Sequence, residues 1–310
     1  MRTFLQRRSL GFAACAGASA LWGTGFFFGK IALAEMSVGH MVFYRFFFAI
    51  LALVPLLVLH RPQFSRGDWG WLLMGSFLGV PLQFLLQFKG LSLTTVAHAS
   101  LMVGTMPVIL ALGAAVFAHE RMDGLGWVAL AISTMGAGLI ALGAGHGSGS
   151  GPSVTGDLMV VFSLCIALFW ILINKRLMAR NSSIAVSAWG LFCGFAMLAL
   201  WTPIASGLPP VHGISLKTWF ALAASGVLCT ATTTILWNWG MTQVPASQAG
   251  VFLNVEPLVG SLLGVFLLKE TLGVSAWLGG AMIVGAAVVL TTRSQTKVGK
   301  NTLSSALVTE

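Results

Sequence analysis

The sequence contains little charge. Only 8% of its 310 residues are Asp, Glu, Lys or Arg, whereas soluble globular domains average roughly a quarter. Hydrophobic residues make up 57%, so a water-soluble fold of this length would lack the polar side chains to cover its surface. The 17 Lys and Arg residues lie singly or in short groups between apolar runs, a pattern that marks membrane orientation rather than a phosphate-binding domain. The composition therefore excludes an ordinary soluble domain and disfavours nucleic acid as a partner.

Motifs for metal, disulfide and catalytic chemistry are also missing. Each of the four cysteines, Cys15, Cys165, Cys193 and Cys229, stands alone in an apolar stretch, so neither a disulfide framework nor a CxxC metal site is indicated. The sequence contains no HExxH, no GxSxG and no paired carboxylates inside an apolar run. We therefore expect a protein that is not an enzyme and that uses no metal or cofactor.

Long apolar segments take the place of these motifs. Several runs reach the roughly 20 residues that cross a bilayer as a helix, and none shows the period-two alternation of a membrane barrel strand. The sequence predicts an all-α membrane protein with ten transmembrane helices, near residues 10–34, 38–60, 69–88, 94–117, 124–144, 156–178, 184–206, 216–240, 247–268 and 275–292.

The N-terminus resembles a signal peptide, because Arg7 and Arg8 precede an Ala-rich stretch. The apolar run continues to Leu33, which is too long for a signal and long enough to cross the membrane. We therefore interpret it as a first, uncleaved helix. With alternating crossings, 12 of the 17 Lys and Arg residues fall on the side of the N-terminus, which predicts that both termini are cytoplasmic in a multi-pass protein of the plasma membrane.

The two halves of the chain align without a gap at a shift of 150 residues. This shift pairs Trp69 with Trp219, Gly90 with Gly240, Pro107 with Pro257, Glu120 with Glu270 and Trp127 with Trp277. Trp22 and Trp170 pair at a shift of 148, so the repeated unit comprises five helices. We expect a first repeat over 1–145, a Gly/Ser linker over 146–155, a second repeat over 156–293 and a cytoplasmic tail over 294–310.

An odd number of helices makes the second repeat enter the membrane from the opposite side. Two inverted-topology five-helix repeats related by a two-fold axis in the membrane plane are typical of transporters that work by alternating access. The alternative is a duplication that serves packing alone.

Short motifs in both halves resemble the EamA family of the drug/metabolite transporter superfamily. They are Leu21-Trp22-Gly23 at the first helix, Tyr44-Arg45-Phe46 in the second, and the stretches Pro107 to Glu120 and Pro257 to Glu270. The resemblance covers nearly the whole chain before about Arg293. It implies two inverted EamA repeats and export of amino acids or other small metabolites. His119 before Glu120 departs from the apolar residue commoner in the family.

Glu256 is the leading candidate for a substrate contact, because ionisable groups inside a membrane helix are costly and often functional. It directly precedes Pro257, and its repeat mate is Met106. It could bind a substrate amine or carry a coupling proton; the alternative is an acid paired with a neighbouring helix. Gln248 and Phe252 share its face if the helix is regular.

Other polar and aromatic residues complete the predicted site. Gln83 and Gln87 share one helix face, and their repeat mates Thr233 and Trp237 share another. His98, the mate of Gln248, is a possible ligand or proton carrier or a structural residue. Trp22, Trp170 and Trp237 are tryptophans that could stack on a substrate. The last candidate is Arg45, which could extend its charge to the interface or hold a substrate carboxylate or a neighbouring carbonyl.

These features predict a transporter of a small polar metabolite, and export of amino acids is the first candidate function. We expect the lipid bilayer as its environment and protons as a possible coupling ion. Exchange of phosphorylated or nucleotide-linked sugars is the second possibility, although it calls for more basic residues in the cavity. An intramembrane enzyme and a structural or receptor protein are less favoured. The sequence leaves the oligomeric state open.

Overall fold

The computed structural model describes residues 2–60, 64–93, 102–117, 123–143, 154–268, 274, 275, 277–286 and 289. Within these ranges every regular element is a helix, which confirms the all-α class. The helices are α1 (Arg2–Leu33), α2 (Val38–Leu59), α3 (Arg66–Leu93), α4 (Met106–Phe117), α5 (Gly124–Gly143), α6 (Val154–Met178), α7 (Ser183–Ser206), α8 (Leu216–Gln243), α9 (Ala246–Ala249, Gly250–Asn254 and Val255–Leu268 in succession) and α10 (Trp277–Ala286).

Six of these helices, α1, α2, α3, α6, α7 and α8, are long and apolar enough to cross a bilayer. Shorter apolar stretches lie in the other four. Each described helix overlaps one of the ten predicted segments. The structure thus agrees with a polytopic membrane protein, while ten crossings in two inverted repeats stay a prediction.

Two of the long helices, α3 and α8, have the same design. Ser65 and Ser215 precede them, and each hydroxyl accepts a hydrogen bond from the backbone N–H three residues later, at 3.1 and 3.2 Å. These caps satisfy N–H groups that a helix start leaves without partners. Both helices are 28 residues long, and their bounds differ by the 150 residues of the sequence repeat.

A wider helical turn interrupts both α3 and α8. The π-helical segments are Leu78–Leu82 and Val227–Thr232, at nearly equivalent positions of the repeat. Pro81 lies in the first segment and lacks the N–H that a regular α-helix would use there. In the second, the Thr230 hydroxyl donates to Ser225 O at 3.1 Å, five residues earlier. Such turns change the direction of the side chains that follow.

The first helix of each half packs against the third helix of the other half. A Cβ on Gly240 of α8 would lie 2.6 Å from Cys15 Sγ and 2.9 Å from Gly11 O, both in α1. A Cβ on Gly90 of α3 would lie 2.8 Å from Gly156 O of α6. Glycine thus permits close approach of the helices at equivalent places in both halves.

One end of the bundle joins the α1–α2 turn to the segment between α7 and α8. The Glu35 carboxylate accepts hydrogen bonds from the Ser215 N–H (2.8 Å) and hydroxyl (2.7 Å). The Tyr44 hydroxyl donates to Pro210 O at 2.8 Å.

The other end of the bundle joins different elements. Trp189 Nε1, near the start of α7, donates to His60 O at the end of α2, at 3.0 Å. Arg8 Nη2, near the start of α1, donates to Gln248 Oε1 of α9 at 2.9 Å. Since the start of α2 lies beside the end of α7, and the end of α2 beside the start of α7, these two helices run antiparallel.

Candidate intramembrane binding site

A cavity lies inside the bundle where α1, α2, α3, α6, α8 and α9 meet. Six of the predicted residues line it: Trp22, Arg45, Gln83, Gln87, Trp170 and Glu256. They come from five helices in both halves of the chain, so only the folded bundle brings them together. The cavity combines two formal charges of opposite sign, two carboxamides and two indole rings.

Arg45 is held rigidly at one side of the cavity. Its side chain is only 4% exposed, and its Nε donates to Thr230 Oγ1 at 2.7 Å while Nη2 donates to Cys229 O at 3.0 Å. Both acceptors belong to the π-helical segment of α8. Irregular backbone inside a membrane is tolerated where it lines a cavity and its polar groups find partners.

Two aromatic rings of α3 pack against the same guanidinium. The Arg45 Cζ atom lies 5.0 Å from the Phe84 ring centre and 5.7 Å from that of Phe88, within the range of a cation–π interaction. Arg45 Nη1 makes no hydrogen bond with any residue that the structure describes. One edge of the guanidinium thus remains for an anionic group.

Glu256 contributes an acidic side chain from α9. Its carboxyl group makes neither a hydrogen bond nor an ion pair within 4.0 Å with the described part of the chain, and it lines the same cavity as Arg45. The backbone of α9 is close to α1 here, since a Cβ on Gly23 would overlap Glu256 O. The cavity therefore presents a guanidinium and a carboxyl group that are not paired directly with each other.

Trp170 of α6 packs on the π-helical segment of α3. A Cβ at Gly79 would overlap its indole ring, so the glycine makes room for the ring at the cavity wall. Trp22 of α1 forms another part of the wall, and its ring centre lies 5.3 Å from that of Trp237. The two tryptophans that the repeat pairs thus both face the cavity.

Thr233 and Trp237 do not line the cavity, contrary to the face predicted for α8. The Thr233 hydroxyl donates to Thr230 O at 3.1 Å, and Trp237 is fully buried behind Trp22. Thr230 and Thr234 line the cavity instead. The π-helical segment before Thr233 has six residues, whereas the one before Gln83 has five, so the two helices are not equivalent at this point.

Gln248 and Phe252 also lie outside the lining. Gln248 accepts a hydrogen bond from Arg8, and the Phe252 ring centre is 5.4 Å from that of Phe12, so both contact the N-terminal part of α1. The predicted stripe assumed a regular helix, but Gly250–Asn254 is a 3₁₀ helix of five residues. Each residue of a 3₁₀ helix rotates the side-chain direction by about 20° more than a residue of an α-helix does. Over the five residues the difference is about 100°.

His98 lies outside the described residues. Sequence reasoning missed Thr230, the Cys229 carbonyl and the aromatic pair Phe84 and Phe88. The spacing of Phe84 and Phe88, one helical turn apart beside the two glutamines, was a visible signal. Thr230 and the Cys229 carbonyl had none, because their role depends on the π-helical turn.

Together, the apolar helices and the enclosed polar site define the class: a polytopic membrane protein with a binding cavity inside its helix bundle. Comparison with known proteins gives the family. The model of the EamA-like transporter family matches residues 9–142 and 154–292, nearly the whole chain, and the chain belongs to this family. The resemblance found in the sequence motifs is thereby confirmed.

Relatives with curated names are described as transporters. An uncharacterized transporter, YetK, of Bacillus subtilis is 23% identical over 290 residues, covering 92% of this chain and 88% of the relative. An uncharacterized transporter of Archaeoglobus fulgidus is 26% identical over 278 residues, covering 89% and 94%. A solved structure titled "Crystal structure of protein" matches with a TM-score of 0.76 at 19% identity, covering 93% of this chain and 98% of that one. This last likeness supports the fold.

Proposed function

We propose that the protein exports amino acids or closely related zwitterionic metabolites across the plasma membrane by alternating access. The observation that carries the proposal is that an arginine and an acid, Arg45 and Glu256, line one cavity. A guanidinium edge suits a carboxylate, and an acid suits an ammonium group. A zwitterion supplies both partners at once, whereas a substrate with a single charge leaves one of them unmatched.

The lining argues against the second candidate, a phosphorylated or nucleotide-linked sugar. Arg45 is the only cation among the described residues that line the cavity. Phosphate groups carry more negative charge than a carboxylate and are usually bound by several basic side chains. The nearby acid, Glu256, would further repel them.

Alternating access rests on the inverted repeat, and the contacts at the two ends of the bundle support it. The α1–α2 turn contacts the start of α8 through Glu35 and Ser215, whereas the α6–α7 turn contacts α3 at the other end, through Asn181 and Asp68 at 3.5 Å. These two turns are repeat mates. Their position at opposite ends of the bundle is the arrangement expected of halves that cross in opposite senses.

Proteoliposomes that contain the purified protein test the substrate class. Wild type should exchange labelled amino acids by counterflow. Arg45→Gln and Glu256→Gln should each weaken half-saturation roughly 10- to 100-fold, since a charge-assisted hydrogen bond contributes about 1.5–3 kcal/mol. Arg66→Gln and Glu35→Gln, which change exposed residues, are the matched controls. Normal transport by Glu256→Gln would show that Glu256 does not bind the substrate. Failure of every amino acid to exchange would refute the substrate class.

The same vesicles test proton coupling, for which Glu256 is the candidate carrier. An imposed pH gradient should drive accumulation by wild type and leave Glu256→Gln unaffected, because a glutamine cannot bind and release a proton. If the pH gradient has no effect on wild type while counterflow is normal, transport is not coupled to protons, and Glu256 has a binding role alone.

A further inference from the structure

The carboxamide of Gln83 is buried in the cavity wall, and its oxygen has no hydrogen-bond partner among the residues that the structure describes. The residue is 8% exposed, and its Oε1 is sealed from solvent with no hydrogen bond to any described residue. Buried polar groups are nearly always hydrogen-bonded, so an unpaired one calls for an explanation. Because Gln83 lines the cavity, a bound ligand is the natural partner.

A second carboxamide lies next to it on the same helix. Gln87 follows Gln83 by four residues and also lines the cavity, so the two amides occupy one face of α3. Each presents both a donor and an acceptor. The lining thus contains a polar strip of two carboxamides, and its unpaired atom, Gln83 Oε1, calls for a hydrogen-bond donor on the ligand.

The strip adjoins the arginine site and is distinct from it. Phe84 and Phe88, the residues that directly follow the two glutamines, hold the Arg45 guanidinium at 5.0 and 5.7 Å. Successive residues of a helix differ in direction by about 100°, so the amides point to one side of the guanidinium. A substrate carboxylate on Arg45 would place its remaining atoms within reach of this strip.

We propose that Gln83, assisted by Gln87, determines specificity by binding the substrate's side chain, and that the preferred side chain is itself a hydrogen-bonding one such as a carboxamide. The inference rests on the proposed function, because the carboxylate and ammonium groups are assigned to Arg45 and Glu256. An apolar side chain of equal length leaves the amide unpaired in a desolvated cavity. Sites built around such groups discriminate strongly against analogues that cannot bond to them.

Counterflow with two probes of similar length, glutamine and norleucine, tests the inference. Wild type should prefer glutamine by at least about tenfold in half-saturation, the effect of one lost hydrogen bond to a buried group. Gln83→Met keeps the length of the side chain and removes its hydrogen bonds, and it should reduce the preference to near unity. Gln243→Leu removes an amide outside the cavity and should keep the wild-type preference.

The outcomes separate the two proposals. Equal transport of both probes by wild type, or an unchanged preference in Gln83→Met, overturns the role of Gln83 and leaves the amino-acid site standing. Failure of both probes and of every other amino acid refutes the proposed function and this inference with it. Thermal unfolding in detergent shows whether Gln83→Met is folded. If Gln83→Met does not fold, Gln83→Leu takes its place. The preference of wild type for glutamine tests the inference in either case, because it needs no variant.

Discussion

Arg45 is almost fully buried in a largely apolar bundle, and burying a charge there is expensive. Its position depends on two hydrogen bonds to α8 and two aromatic faces of α3. These contacts hold the guanidinium between the two halves of the chain. Any movement of α2 against α8 therefore moves the cation of the site.

Gly226 of α8 lies where this helix packs closely against α2, next to the backbone of Arg45. A Cβ at Gly226 would overlap the carbonyl oxygen of Arg45 and lie 2.7 Å from Phe48 Cβ and 2.9 Å from the backbone N of Ala49. Gly226→Ala should therefore destabilise the protein by about 1–3 kcal/mol, the usual effect of overpacking. Thermal unfolding in detergent measures it.

Gly17 provides the matched control, because a Cβ there would meet nothing within 4 Å. Gly17→Ala should leave stability unchanged or raise it, since alanine is the better helix former by about 0.5–1 kcal/mol. Equal melting temperatures for the two alanine variants would mean that α2 and α8 are less tightly packed than the structure indicates.

The N-terminus of α8 is held by a residue from another part of the chain. Ser215 caps its first turn, and the Glu35 carboxylate binds the N–H and hydroxyl of Ser215 itself. These hydrogen bonds, with Lys217 nearby, hold the pKa of Glu35 below its ordinary value of 4.5. An anion at a helix N-terminus is also favoured by the helix dipole.

The sign of the pH dependence follows from the direction of this shift. A lowered folded-state pKa adds stability that is fully present above the ordinary value and is lost as pH falls through the lowered pKa. Between about pH 6 and about pH 3.5, the melting temperature of wild type should fall more than that of Glu35→Gln. Parallel curves would show that the carboxylate contributes nothing to the end of α8.

Irregular turns occur in all three helices that carry the predicted faces. Gln83 and Gln87 follow a five-residue π-helical segment in α3 and line the cavity, whereas Thr233 and Trp237 follow a six-residue segment in α8 and do not. On α9, a 3₁₀ segment separates Gln248 from Glu256, and Gln248 and Phe252 lie outside the lining. Asn254, also on α9, forms a contact between helices, since its Nδ2 donates to Ser133 Oγ of α5 at 2.8 Å.

At the scale of the whole molecule, the inverted topology can be tested by labelling. With the four native cysteines replaced, we expect Ala34→Cys and His212→Cys to react with an impermeant maleimide on intact cells. Ala179→Cys should react after permeabilisation alone. All three positions are exposed in turns, so access differs by membrane side. Reaction of Ala34→Cys and Ala179→Cys from the same side would refute the inversion and with it alternating access between two such halves.

The sequence by itself determined the class and the approximate position of each helix that the structure describes, and it supplied the repeat and the polar candidates as predictions. These properties are local: a bilayer selects for length and hydropathy, and isolated charges stand out against them. Only the tertiary structure decided which candidates share a cavity. That choice depends on helix rotation and on packing between distant segments, and a single irregular turn alters the facing of every residue after it.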